Sequence, residues 1–136
     1  MSWLPFALGT MVLFGIWGVL SKLALEHANW AQVSLGFGVA SAVVSLAAMF
    51  VLGGDWTSKG VALTTVAGVV GGVGFLLFNI ALDRGPASQV VPIIGVYPAL
   101  TAVLAVLFLS DRLSAVQAGG VALAVTGVLL VGFGGG

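Results

Sequence analysis

The side chains in this chain that could recognise another molecule are mostly neutral. Gln89, Ile93, Tyr97 and Thr101 recur every four residues, so on a helix they would set three polar groups along one stripe. Thr10, Phe14, Trp17 and Ser21 repeat in steps of three and four, and the indole N–H of Trp17 needs an acceptor. Asn79 shares a helical face with Gly68, Gly72 and Phe75. In hydrocarbon its amide needs partners for both its donors and its acceptor. These groups supply hydrogen bonds and aromatic faces, which is the chemistry of binding. Bond-making is not indicated, because no nucleophile–base pair and no embedded carboxylate dyad is visible. One His and four scattered carboxylates make no metal cluster. With no Cys there is no disulfide and no thiolate chemistry, and no cofactor is implied.

The charged residues have a different use. All eight lie in four short clusters: Lys22 and Glu26 beside His27, Asp55 and Lys59, Asp83 and Arg84, Asp111 and Arg112. Between them run residues 1–21, 28–54, 60–82, 85–110 and 113–136, free of formal charge. Each is long enough to cross a hydrocarbon core of ~30 Å at ~1.5 Å per residue. A charge at the centre of such a helix costs roughly 2.5–3.5 kcal/mol on the insertion scale. The chain therefore reads as an all-α integral membrane protein with five transmembrane helices. Sixty per cent hydrophobic residues, 6% charged residues and a mean hydropathy of +1.25 agree, since soluble domains carry about 25% charged residues. Four dispersed Lys and Arg give no basic patch for nucleic acid. The first stretch lacks a basic leader region and a small-residue cleavage site, so it reads as a retained helix. The short connections leave no room for an extramembrane domain.

The helices are expected at about 3–22, 29–53, 59–82, 86–110 and 113–132, as one membrane domain over residues 1–136. Trp3, Trp30 and Trp56 fall near helix ends, as in an aromatic belt. Gly68 and Gly72 have the spacing that lets helix backbones approach closely. In the fourth helix, Pro92 and Pro98 each remove a bond to the carbonyl four residues earlier, at Ser88 and Ile94. Freed carbonyls at membrane depth must be satisfied by protein or by a watery cavity, so both prolines predict kinks and a hinge. Pro86 sits near the helix start, where it is cheap. Tyr97 lies mid-helix, away from the interfacial belt.

Each of these groups also has a purely structural reading. Asn79 could serve a helix–helix hydrogen bond or a carbonyl cap, or act as a cavity group near one mouth. The helix 4 stripe could pack on neighbours or line a solute path. Trp17 could fill bulk or stack on a ligand. Ser34, Gly38, Ser41 and Ser45 share a face of helix 2 that reads as a packing seam. Lys22 reads as snorkelling to the interface.

Orientation in a membrane follows Lys/Arg bias in short loops. The loops after helices 2 and 4 lie on the side of the N-terminus and carry Lys59 and Arg112; the loops after helices 1 and 3 carry Lys22 and Arg84. The count is two against two. Either the α-amino group or a translocation factor fixes one orientation, or the chain inserts both ways up and can pair as an antiparallel homodimer.

From residue 79 the chain reads NIALDRGPASQVVPIIGVYPALTAVLAVLFLSDRLSAVQAGGVALAVTGVLLVG. The A-L-x-x-G-P-A-S entry to helix 4, Tyr97–Leu100, the acidic Asp111 and the G-x-x-L-x-x-x-G-V-x-L run resemble the EamA domain of the drug/metabolite transporter superfamily. So does F-G-I-W-G-V-L-S-K at Phe14–Lys22. The resemblance covers essentially the whole chain. Members usually carry two inverted five-helix repeats, and this chain holds one. The resemblance therefore implies a dimer with itself, and inverted pairing requires opposite orientations. It favours helices 1, 3 and 4 around the cavity, with 2 and 5 outside. Asp111 stands where the family usually has Glu, and Lys22 matches a basic residue that often follows helix 1.

The expected function is transport of a small neutral or zwitterionic metabolite across the cell membrane, by uniport or exchange. Alternating access would operate near the midplane, where inverted repeats meet. Candidate substrate-binding residues are Tyr97, Gln89, Thr101, Trp17, Asn79, Thr10 and Phe14, with Pro92 and Pro98 as the hinge. The partners are lipid, a second copy and the solute. The rival readings are a non-transporting subunit of a larger carrier and a small channel.

Overall fold

The computed structural model describes residues 3–133. Its elements are α1 (Leu4–Leu25), α2 (Trp30–Leu52), α3 (Ser58–Arg84), α4 (Ala87–Ile94), α5 (Tyr97–Phe108) and α6 (Ala115–Phe133). No strand occurs among the described residues. Together α4 and α5 make one span, so among the described residues five spans are long and apolar enough to cross a membrane.

Local chemistry sets the helix ends. Asn29 and Gln32 form a reciprocal capping box at the start of α2, and Ser114 and Gln117 exchange the same pair of bonds at α6. The Thr57 hydroxyl accepts from the Gly60 amide at the start of α3. Gly53 closes α2 at φ 67°, a left-handed conformation that glycine adopts without strain. Within the spans, the hydroxyls of Thr10, Thr65, Thr101 and Thr126 donate to carbonyls one turn back. That bond satisfies a hydroxyl without a second helix.

The fourth span is where the structure departs from a single helix over 86–110. α4 ends at Ile94, Gly95 and Val96 interrupt it, and α5 begins at Tyr97. Pro92 lies inside α4 and Pro98 in the first turn of α5. Neither can donate an amide, so the helical ladder cannot run through. The backbone tightens instead: Val96 N donates to Ile93 O at 3.3 Å and Ala99 N to Val96 O at 2.8 Å, both three residues back. The interruption falls ~12–14 Å into the span at ~1.5 Å per residue, near mid-membrane depth.

The helices pack as two compact units, the first ending at Arg84 and the second starting at Gly85. In the first, α2 packs most extensively on α3, and α1 rests against both. In the second, α6 lies along α4 and α5, and the Ile93 side chain covers the bare backbone of Gly132. Apolar side chains such as Phe50 (81% exposed) and Val116 (86%) face outward. Faces of this kind are stable only against hydrocarbon.

Candidate solute-binding site

Within the first unit the side chains between α1, α2 and α3 form layers. At one end the Lys22 ammonium donates to the Leu82 carbonyl at 2.8 Å. Leu82 is fully buried in the last turn of α3, where the partial negative charge of the helix terminus favours a cation. The bond draws together the final turns of α1 and α3. Lys22 is therefore part-buried at the span ends.

One turn deeper lies Asn79, also fully buried. Its Nδ2 donates to Ser34 Oγ at 2.9 Å and to the Phe75 carbonyl at 3.2 Å. Ser34 Oγ donates its own hydrogen to the Trp30 carbonyl at 2.7 Å. The Ser34 hydroxyl can then only accept from Asn79, which fixes the amide nitrogen toward α2. The Asn79 Oδ1 is buried and accepts no hydrogen bond. Asn79 thus makes the helix–helix bond that was one of its two readings, and it retains an unused acceptor. Ser34 of the helix 2 seam is its partner.

Below this polar layer is an aromatic cluster. Trp17 stacks on Phe78 with ring centroids 4.8 Å apart, and lies 5.6 Å from Phe37, 5.6 Å from Phe75 and 6.0 Å from Phe14. Phe37 and Phe75 stack at 4.2 Å. Among the described residues the Trp17 indole N–H has no hydrogen-bond partner. Counting back from Leu25 and Arg84, Trp17 and Phe75 sit ~12–14 Å along their helices. Aromatic faces at that depth can bind a flat apolar surface or a cation.

The structure brings Trp17 and Phe14 together and sets Asn79 next to Phe78. Thr10 is exposed on α1, its hydroxyl bonded to the Phe6 carbonyl. Sequence reasoning missed Phe37 and Phe78 as members of the cluster. Phe37 shares the Ser34–Gly38–Ser41 region, but a phenylalanine in an apolar helix carries no signal of its own. α2, which the resemblance put outside the cavity, supplies both Phe37 and Ser34.

The second unit holds Gln89, Tyr97 and Thr101. Gln89 is half-buried on α4, while Tyr97 and Thr101 are exposed on α5. The Thr101 hydroxyl donates to the Tyr97 carbonyl at 3.1 Å. The interruption at Gly95 and Val96 separates Gln89 and Ile93 from Tyr97 and Thr101, so one regular stripe does not run through all four. Val96 and Pro98 at this break face Gln117, Val121 and Val125 of α6 across an open cleft of about 450 Å³.

These features define a multi-pass helical membrane protein. The EamA-like transporter family model matches residues 1–133, and the chain belongs to that family. It is a multi-pass membrane protein of the drug/metabolite transporter type. An uncharacterized protein of Methanocaldococcus jannaschii is 41% identical over 59 residues, which are 43% of this chain and 43% of that one. The match thus spans about two fifths of that relative's length. No solved structure matches the chain.

Proposed function

We propose that this chain is a carrier for a small neutral or zwitterionic metabolite, amino-acid-like or drug-like, and that it works in the cell membrane as an antiparallel homodimer. The whole of 1–136 acts as one membrane domain. Transport is uniport or exchange by alternating access, with the interruption between α4 and α5 as the moving part.

The single observation that carries this reading is the balanced basic charge at the two ends of this five-span repeat. The Lys22–Leu82 bond gathers the last turns of α1 and α3, which supports placing Lys22 and Arg84 on one face. Lys59 stands at the opposite end of α3. With two basic residues per face, neither orientation is preferred by loop charge. The groups offered to solute are Trp17, Phe14, Thr10 and Asn79 in the first unit and Gln89, Tyr97 and Thr101 in the second.

The test is flux of radiolabelled amino acids and small amides into proteoliposomes holding only this chain. Saturation and counterflow are expected. Linear, non-saturating flux would instead identify a pore, and absence of flux would leave a subunit that needs a larger partner.

A further inference from the structure

We infer that Asn79 Oδ1 is the hydrogen-bond acceptor that selects solutes carrying an N–H group, with the Trp17–Phe75–Phe78 rings as the adjoining apolar wall. This deepens the transport reading and rests on it for its biological meaning.

A fully buried amide oxygen with no donor is costly, and such groups in folded proteins call for an explanation. The orientation of this amide is not open, because Ser34 Oγ gives its hydrogen to Trp30 and needs the Asn79 nitrogen. The oxygen is therefore the part of Asn79 that helix packing leaves unused. Phe78, the residue just before Asn79, stacks on Trp17, and Phe75 supplies the carbonyl that accepts the second amide hydrogen. Trp17 adds an indole N–H that has no hydrogen-bond partner among the described residues. An acceptor and a donor beside stacked rings suit a solute with a flat apolar body and a polar end that can donate from N–H and accept on oxygen. A primary amide has both.

The cluster also supplies the readout. In the full chain with Trp3, Trp30 and Trp56 replaced by Phe, Trp17 is the sole tryptophan, excited selectively at wavelengths where Tyr97 does not absorb. Benzamide and N,N-dimethylbenzamide share ring and carbonyl and differ in the N–H groups. Benzylammonium and benzyltrimethylammonium make the same comparison with a cation. The N–H member of each pair is expected to perturb Trp17 emission at about tenfold lower concentration, the loss due to one buried hydrogen bond. In Asn79→Leu that preference is expected to vanish while the N-methylated probes still bind. The wild-type comparison stands alone should Asn79→Leu not fold.

Equal binding within each pair overturns the acceptor assignment, as does tighter binding of both cations whatever their N–H content, which would mark a cation–π site. No binding of any probe also overturns it and leaves Oδ1 to a buried water. Flux separates the two readings. N–H selectivity in binding without flux supports the acceptor and sinks the carrier, whereas saturable flux without N–H preference does the reverse.

Discussion

Asn79 on α3 and Ser34 on α2 are joined by a 2.9 Å hydrogen bond between residues 45 apart in sequence. It is a buried polar tie between α2 and α3. In a membrane such a bond is worth about 0.6 kcal/mol on average and up to ~1.7 kcal/mol, because helices separated in lipid find other partners. A double-mutant cycle with Ser34→Ala and Asn79→Ala, read by unfolding in mixed micelles, is expected to return a coupling energy in that range. A coupling near zero would mean that packing alone joins α2 to α3.

Orientation should respond to single charges. Introduced at Gly54, beside Asp55, a cysteine is the only thiol in the chain. It is expected to react with impermeant maleimide from both sides of the membrane. Lys22→Gln leaves the opposite face richer in basic residues, so that face moves inward and outside labelling falls. Lys59→Gln has the opposite effect. Labelling from one side only, unmoved by either change, would rule out dual insertion.

The interrupted span makes a second demand. Pro98→Ala restores an amide able to reach the Ile94 carbonyl and favours one continuous helix. Helicity by circular dichroism should hold or rise while solute flux drops several-fold. Undiminished flux would remove the hinge from the mechanism.

Tyr97 and Gln89 can be tested directly. Tyr97→Ala and Gln89→Ala are expected to raise KM for at least one transported solute, by roughly tenfold for each hydrogen bond lost. If both variants carry every solute as well as wild type, the second unit does not contact it.

Coupling follows from where the charges lie. Every Asp, Glu, Lys and Arg falls at or beyond a span end, whereas proton relays use ionisable groups inside spans. An imposed pH gradient is therefore expected to drive no solute accumulation in proteoliposomes, although counterflow persists. Accumulation that collapses with a protonophore would contradict this.

What could be read from the sequence were the features that lipid imposes locally. Excluding charge from hydrocarbon spaced Lys22, Asp55, Arg84 and Asp111 so that the spans could be counted, and Pro92 and Pro98 marked the fourth span as irregular because proline lacks an amide in any context. Trp17, Phe14 and Asn79 stood out by type and depth. The sequence could not show which helices meet, because in a chain this uniformly apolar nearly every helix face looks like every other. Tertiary structure decided that Ser34 is the partner of Asn79, that Lys22 binds the end of α3, and that Phe37 from α2 joins Trp17 and Phe75. It also decided that only one atom of the Asn79 amide is left over. Hydrogen bonds and ring stacking depend on distances of a few ångströms between separate helices, and those are set by packing.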